Sequence, residues 1–191
     1  MLEALEATGM PYWEALGTVA SVIRPALPRR VWKGYLAQGP MGVEPVLALF
    51  EIAIAAPAKL VDAFLQDWLH HRHLDVSLDL SGLDWVTTLP GGLVVEGDLA
   101  LSGCRALTGL PTGLNVGGDL EVSRCPALTR LPARLRVGGD IWACGCRRLR
   151  HLPSGLVVDG DLLLRGCPAW DGVIPEDAEI GGRVVSPKRS A

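Results

Sequence analysis

The sequence lacks both an excess of basic residues and an apolar run long enough to cross a bilayer. Its net charge is -3, so no overall positive field favours nucleic acid as a partner. The longest apolar stretch, VLALFEIAIAAPA, is interrupted by Glu51 and Pro57 and predicts a buried helix rather than a membrane span. The first ten residues carry acids where a secretory signal peptide carries basic residues. We therefore expect no nucleic acid, no membrane and no export.

The sequence also lacks the motifs of the common enzyme classes. It contains no nucleophile and base at a recognisable spacing, no phosphate-binding glycine loop and no pair of acids at a defined spacing. We therefore expect a protein that is not an enzyme and needs no cofactor. Its five cysteines are an odd number, and four of them recur at one spacing instead of forming a small-domain disulfide pattern. That usage favours a reducing, cytoplasmic setting.

What the sequence does have is an internal repeat of 21 residues. Its four clearest copies read VTTLPGGLVVEGDLALSGCRA, LTGLPTGLNVGGDLEVSRCPA, LTRLPARLRVGGDIWACGCRR and LRHLPSGLVVDGDLLLRGCPA, and they begin at Val86, Leu107, Leu128 and Leu149. A fixed step in this range is typical of a solenoid, in which each copy is one coil of a stack. Within GDLEVS, the alternation of Leu120 and Val122 with polar residues predicts a strand that has one buried face.

The pattern L-x-L-x-x-C-x-x-L-x-x-L-P resembles the leucine-rich repeat, in a short bacterial form with Cys at the Asn/Cys position. The resemblance covers about residues 75–186. It implies an α/β solenoid, that is, a curved stack with a parallel sheet on its concave side, where members of the family bind protein partners. Some bacterial effectors of this type carry a ubiquitin-ligase domain after the repeats. Because the sequence stops at Ala191, we expect no such activity, although an effector-like role stays an alternative.

The repeat divides the chain into two predicted parts. Residues 1–74 contain no copy of it and predict helices, which we expect to cap the N-terminal end of the stack because an end coil would otherwise expose its core. Residues 75–191 then form about five coils. The last of these is degenerate, because Arg183 stands where the earlier copies have Asp and Arg189 stands where they have Cys. A charge at a core position ends a stack, because another coil would desolvate it.

Four cysteines that recur at the same position of successive copies suggest a metal or redox site, but their geometry favours a structural role. In a stack they would form a file with a spacing of about 4.8 Å, whereas a metal needs ligands that converge on one point. We predict a ladder of buried thiols that donate to loop carbonyls, formed by Cys104, Cys125, Cys146 and Cys167. Cys144, which breaks a column of serines, is predicted to be a lone exposed thiol.

Two further groups of polar residues have competing interpretations. The histidines of HHRH, His70–His73, are interpreted as cationic residues at a helix C-terminus, and no metal is predicted there or at His151. A metal- or redox-dependent protein that uses the cysteines and histidines is the alternative. Each coil also begins its strand with Gly-Asp, where we expect Gly to allow a turn with positive φ and Asp to accept backbone N–H bonds. A carboxylate stripe for a cation or a basic partner is the alternative there.

One outward column of the predicted strands does not repeat, so its residues are free to serve recognition. With its flanking columns it forms a solvent face that is acidic in the first three coils and apolar around Trp142, Leu163 and Val185, and an exposed Trp beside Leu is typical of protein interfaces. We predict that another protein binds here through Asp79, Glu121, Trp142, Leu163, Arg165 and Val185. The alternative is that these apolar residues pack under the C-terminal tail or form the contact of a homodimer. The segment CRRLRH, with Arg130, Arg134 and Arg136, gives local basicity on the loop and convex sides and is interpreted as a solvated surface. Without interleaved aromatic residues it is a weak match to an RNA site.

Overall fold

The computed structural model describes residues 77–186 and, before them, the three helical positions Ala63, Gln66 and Leu69, of which Leu69 is buried. By its internal contacts the chain divides into two units, Met1–His71 and Arg72–Ala191. The remainder of the helical cap predicted for residues 1–74, together with His70–His73 and Arg189, lies outside the described residues. No helix in the described part of the chain is both long enough and apolar enough to span a membrane.

Residues 77–186 form a β-solenoid of about five coils, and its strands form two parallel sheets. The first sheet has six strands, in spatial order β1 (Leu78–Asp79), β3 (Leu99–Ala100), β5 (Leu120–Glu121), β7 (Ile141–Trp142), β9 (Leu162–Leu163) and β11 (Val184–Val185). The second sheet has five strands, in spatial order β2 (Val94–Val95), β4 (Asn115–Val116), β6 (Arg136–Val137), β8 (Val157–Val158) and β10 (Glu179–Ile180).

The register of the sheets follows the sequence repeat. Leu120 pairs with Leu99 on one side and with Ile141 on the other, each at the equivalent position of the neighbouring copy. The final pairings, such as Val184 with Leu162, are offset by a single position, because the last coil contains one inserted residue. We number the coils from residues 77, 98, 119, 140 and 161. The predicted solenoid and its period are confirmed.

Each coil has a third side, formed by segments 87–88, 108–109, 129–130, 150–151 and 171–172. Neighbouring coils are joined there by single backbone hydrogen bonds, such as Thr108 N–H to Thr87 O at 3.2 Å. Isolated parallel bridges link Gly109 to Arg130 and Arg130 to His151. The coils are therefore stacked in register on three sides.

The α/β character expected from the leucine-rich-repeat resemblance is not found in residues 77–186. The segment that returns from one first-sheet strand to the next contains a second strand instead of a helix. Two features explain this. The LPTGL stretch contains Pro and Gly, which do not continue a helix, and the β-branched Val116 is buried while its neighbour Asn115 is exposed, which is the period of a strand.

The interior of the stack is apolar. In the second coil, Leu99, Leu101, Leu107 and Val116 are at most 1% exposed. No charged or polar side chain is buried anywhere in residues 77–186, so the stacked coils are stabilised by aligned apolar files and by backbone hydrogen bonds between coils. At the C-terminal end of the described range, where β10 and β11 are the edge strands of the two sheets, Ile180 and Val184 are half-buried.

Candidate interaction surface on the six-stranded sheet

The four regularly spaced cysteines lie in the core beneath the six-stranded first sheet. Each is 0% exposed and donates to a carbonyl of the preceding coil: Cys104 to Leu80 O (3.3 Å), Cys125 to Leu101 O (3.2 Å), Cys146 to Val122 O (3.0 Å) and Cys167 to Ala143 O (3.0 Å). Burial raises the pKa of all four thiols, that of Cys104 to about 11 and that of Cys146 to about 12. Thiols in this state stay protonated at neutral pH and are poor nucleophiles and metal ligands.

The remaining thiol, Cys144, was predicted to be exposed, but it is half-buried. Its Sγ lies 3.9 Å from Leu163 O, at the end of the outward face beside Trp142. All five cysteines are free. Within the described residues no group of three or more His, Cys, Asp and Glu is placed to hold a metal ion. His151 instead pairs with Asp171, with 2.6 Å between Nδ1 and Oδ2.

We expect the folded protein to contain a single reactive thiol. At pH 8 in native buffer, Ellman's reagent should modify one cysteine per chain within minutes, and peptide mapping should identify it as Cys144. After denaturation in guanidinium chloride, all five should react. Rapid modification of any of the four core cysteines in native buffer would contradict their burial and would favour the redox alternative.

One aspartate precedes each of four first-sheet strands, and hydrogen bonds to its carboxylate link neighbouring coils. We call these residues the Asp column: Asp98, Asp119, Asp140 and Asp161. In three successive pairs, the N–H of one Asp donates to Oδ1 of the Asp one coil earlier. These hydrogen bonds run from Asp119 to Asp98 (2.9 Å), from Asp140 to Asp119 (2.8 Å) and from Asp161 to Asp140 (2.7 Å). The predicted role as backbone acceptor is confirmed, with the donor in the next coil. Because the fold uses these carboxylates in each of the four coils that carry them, they are not evidence of a ligand.

The positive φ predicted for the preceding glycines was wrong. Gly118, Gly139 and Gly160 are not among the glycines with positive φ. A β-carbon at Gly139 would clash with Asp119 Oδ1 and would lie 2.9 Å from the carbonyl carbon of Gly118. Glycine is required at these positions because the backbone of one coil approaches the next too closely for a side chain.

The outward column that does not repeat forms one continuous row across the first sheet, which we call the recognition row: Asp79, Ala100, Glu121, Trp142, Leu163 and Val185. Consecutive members are register partners in adjacent strands. Trp142 is 41% exposed, while Leu163 and Val185 beside it are half-buried. The later half of the row is therefore a contiguous apolar strip that contains a large exposed aromatic ring.

The flanks of this row are polar. Glu121 accepts a 2.7 Å hydrogen bond from Ser102 Oγ, which holds its carboxylate toward the second coil and away from the indole. Arg165 lies two residues beyond Leu163 and is exposed. The structure thus brings five of the six predicted binding residues into one row, with Arg165 at its edge.

Sequence reasoning missed one surface and did not treat another as a binding site. Val173 and Ile174 are 60% and 44% exposed, in a segment where the inserted residue obscures the repeat. The basic residues of CRRLRH, with Arg130, Arg134 and Arg136, were interpreted as local basicity on a solvated surface, and they lie with Arg124 in the same two coils. A comparison of charge by coil, instead of by column, would have shown this cluster.

Comparison of the chain with protein-family models, curated proteins and solved structures finds no match.

Proposed function

We propose that the solenoid is a non-enzymatic protein-interaction module, which binds another protein on the outward face of the six-stranded sheet around Trp142. The observation that carries the proposal is the 41% exposure of Trp142 in line with Leu163 and Val185. Aromatic residues with apolar neighbours dominate the binding energy of protein interfaces. In the recognition row the residues differ from coil to coil, so the fold itself does not require a tryptophan there.

The charge around the apolar strip indicates which kind of partner would fit. Asp79 and Glu121 belong to the same row, and Arg165 flanks its apolar end. A complementary partner would place an apolar pocket over Trp142 and basic groups over the first three coils, since charge complementarity sets the orientation of a complex. The resemblance to leucine-rich repeats supports the same surface, because members of that family bind proteins on their strand face.

The proposal includes a cytoplasmic location, supported by five cysteines that are all free. Binding of a second copy through the apolar strip is the alternative occupant of the same face. Analytical ultracentrifugation separates the two. A dimer that dissociates on Trp142→Ala substitution supports self-association, whereas a monomer at all concentrations leaves a heterologous partner.

The test of the proposal is the substitution Trp142→Ala. Because Trp142 is outward-facing, the melting temperature should change by only a few degrees, since surface substitutions usually alter stability by about 0.5 kcal/mol or less. The affinity for the partner should fall about tenfold or more, as expected for an aromatic hot spot. Affinity capture with quantitative mass spectrometry identifies a candidate partner, and titration calorimetry with that purified protein then measures the affinity of both variants.

Ile174→Ala is the matched control, because Ile174 is an exposed apolar residue outside the recognition row. A genuine partner should be retained by Ile174→Ala and lost by Trp142→Ala. If Trp142→Ala melts normally and still captures every protein that the wild type captures, the proposed site is wrong.

A further inference from the structure

A second surface lies on the third and fourth coils, where it runs from the end of the first-sheet strands across the third side to the second sheet. Residues 122–138 and 143–158 contain no Asp or Glu, yet they contain seven arginines and His151. We call these arginines the arginine belt: Arg124, Arg130, Arg134, Arg136, Arg147, Arg148 and Arg150. Ordinary protein surfaces intersperse both signs of charge. A segregated belt on a chain of net charge -3 is therefore a local feature and does not follow from overall composition.

The stacking of the coils concentrates this charge. Arg130 and His151 are direct bridge partners on the third side, so their backbones lie about 4.8 Å apart. All seven arginines are exposed. Within residues 77–186, none of them lies within salt-bridge distance of a carboxylate; the ion pairs there involve Arg105, Arg183 and His151. The belt therefore presents guanidinium groups that are not neutralised by the carboxylates of this part of the chain.

Two of the arginines stand where the backbone disfavours them. Arg124 and Arg134 have φ values of 56° and 57°, whereas the equivalent positions in the two neighbouring coils are glycines with positive φ: Gly103 and Gly145 for Arg124, and Gly113 and Gly155 for Arg134. A left-handed conformation costs a non-glycine residue roughly 1 kcal/mol or more. Stacking does not require a side chain at either position, because the neighbouring coils have none.

The same two side chains extend along the stack toward the fourth coil. A β-carbon at Gly145 would lie 3.5 Å from Arg124 Cγ, and one at Gly155 would lie 3.1 Å from Arg134 Cγ. Both arginines therefore lie over glycines of the coil that carries Arg147, Arg148 and Arg150. Arg124 precedes the third side and Arg134 follows it, so the third coil adds charge to the belt at both edges of that side.

A shallow depression of about 270 Å³ adjoins the belt on the third side. It lies where Gly109 leaves space between Thr88 and Arg130, and it is also lined by Leu110 and Pro111. Such a depression has room for one apolar side chain or a stretch of peptide backbone next to the guanidinium groups.

We propose that the arginine belt binds an acidic polypeptide segment of a partner protein. Guanidinium groups match carboxylates in bidentate geometry, and the belt consists of arginine throughout, with no lysine in residues 77–186. Nucleic acid fits less well, because single strands need aromatic platforms for their bases. In the third and fourth coils the only aromatic residue is Trp142, which lies on the first sheet.

The binding is tested with a fluorescein-labelled decaglutamate peptide and, as the competing probe, a labelled decauridylate RNA, by fluorescence anisotropy with the full chain. The key variant is Arg124→Gly combined with Arg134→Gly. It removes two belt charges while introducing the glycine that both neighbouring coils carry at these positions, so a loss of binding cannot follow from backbone strain. Arg105→Ser with Arg183→Ser removes the same net charge from outside the belt.

We expect decaglutamate to bind at 50 mM NaCl, to be released as salt rises to 300 mM, and to bind roughly tenfold more weakly to the double glycine variant. The control pair should change its affinity by less than about twofold. Equal loss in both variants would mean that net charge alone attracts the peptide, and would overturn the proposal. So would tighter binding of decauridylate than of decaglutamate, or no binding at all. Trp142→Ala should leave decaglutamate binding unchanged, so the belt and the recognition row can fail separately.

Discussion

Between pH 8 and pH 11 the folded protein is expected to lose most of its stability, because its four core thiols must stay protonated while those of the unfolded chain ionise. A group whose pKa is higher in the folded state contributes stability below its unfolded pKa, and this stability is lost as the pH rises toward the folded value. The pKa of Cys104 rises from 9.0 to about 11 and that of Cys146 from 9.0 to about 12. At pH 11 these two thiols alone should reduce the free energy of unfolding by about 5 kcal/mol.

Cys125 and Cys167 act in the same direction, since burial also raises their pKa. The sequence makes this transition unusually easy to interpret. Residues 77–186 contain no lysine and no tyrosine, so thiols are the side chains of the described coils that titrate between pH 8 and pH 12. A loss of about 5 kcal/mol is comparable to the total stability of a typical domain, and the coils should unfold in the upper part of this pH range.

Urea unfolding monitored by tryptophan fluorescence at pH 7 and pH 11 measures the effect. Cys146→Ala should reduce the loss between these pH values by about 3 kcal/mol, although it leaves a small cavity and lowers stability at pH 7 by about 1 kcal/mol. Cys144→Ala serves as the control and should keep the wild-type loss. Comparing variants cancels any titration outside residues 77–186. An identical loss in wild type and Cys146→Ala would show that the core thiols are not responsible.

The first sheet illustrates how far the sequence predicts the fold. The constant period of the repeat predicts that equivalent positions of successive coils lie side by side, and the alternation around Leu120 and Val122 predicts which side chains are buried. Both predictions follow from local physics repeated in every coil, and both are confirmed by the register of the first sheet and by the burial of these two residues. The recognition row was predictable for the same reason, because stacking fixes which residues are neighbours.

The second sheet was not predicted, and most of the arginine belt was predicted only as local basicity on a solvated surface, for different physical reasons. The strand at Asn115–Val116 is only two residues long and follows a Pro–Gly turn, so its alternation is too short to recognise against the expectation of a helix. The belt depends on residues from different columns, such as Arg124 and Arg134, whose common surface can be recognised only once each coil is known to have three sides. A column-by-column comparison shows what the coils share and hides what the third and fourth coils add.

Gly139→Ala is expected to destabilise the stack by about 3 kcal/mol. The new methyl group would clash with the carboxylate of Asp119 and would lie 2.9 Å from the carbonyl carbon of Gly118. Overpacking of this kind costs roughly 1–3 kcal/mol. Displacing the carboxylate would also break its 2.8 Å hydrogen bond from the N–H of Asp140, and a bond to a charged group contributes about 1.5–3 kcal/mol. Exposure to water should reduce the second contribution at this partly open corner.

Gly109→Ala is the matched control in the same solenoid. A β-carbon at Gly109 would lie 4.0 Å from its nearest neighbour, Arg130 O, and equivalent positions in other coils hold Thr88 and His151 without difficulty. This variant should keep or slightly exceed wild-type stability, because alanine reduces the conformational freedom of the unfolded chain. Urea midpoints at pH 7 compare the two variants. Equal midpoints would mean that the coils are spaced more widely at the Gly-Asp corner than the close approach of Gly139 to Gly118 requires, and the explanation of the glycine at this position in every coil would have to be abandoned.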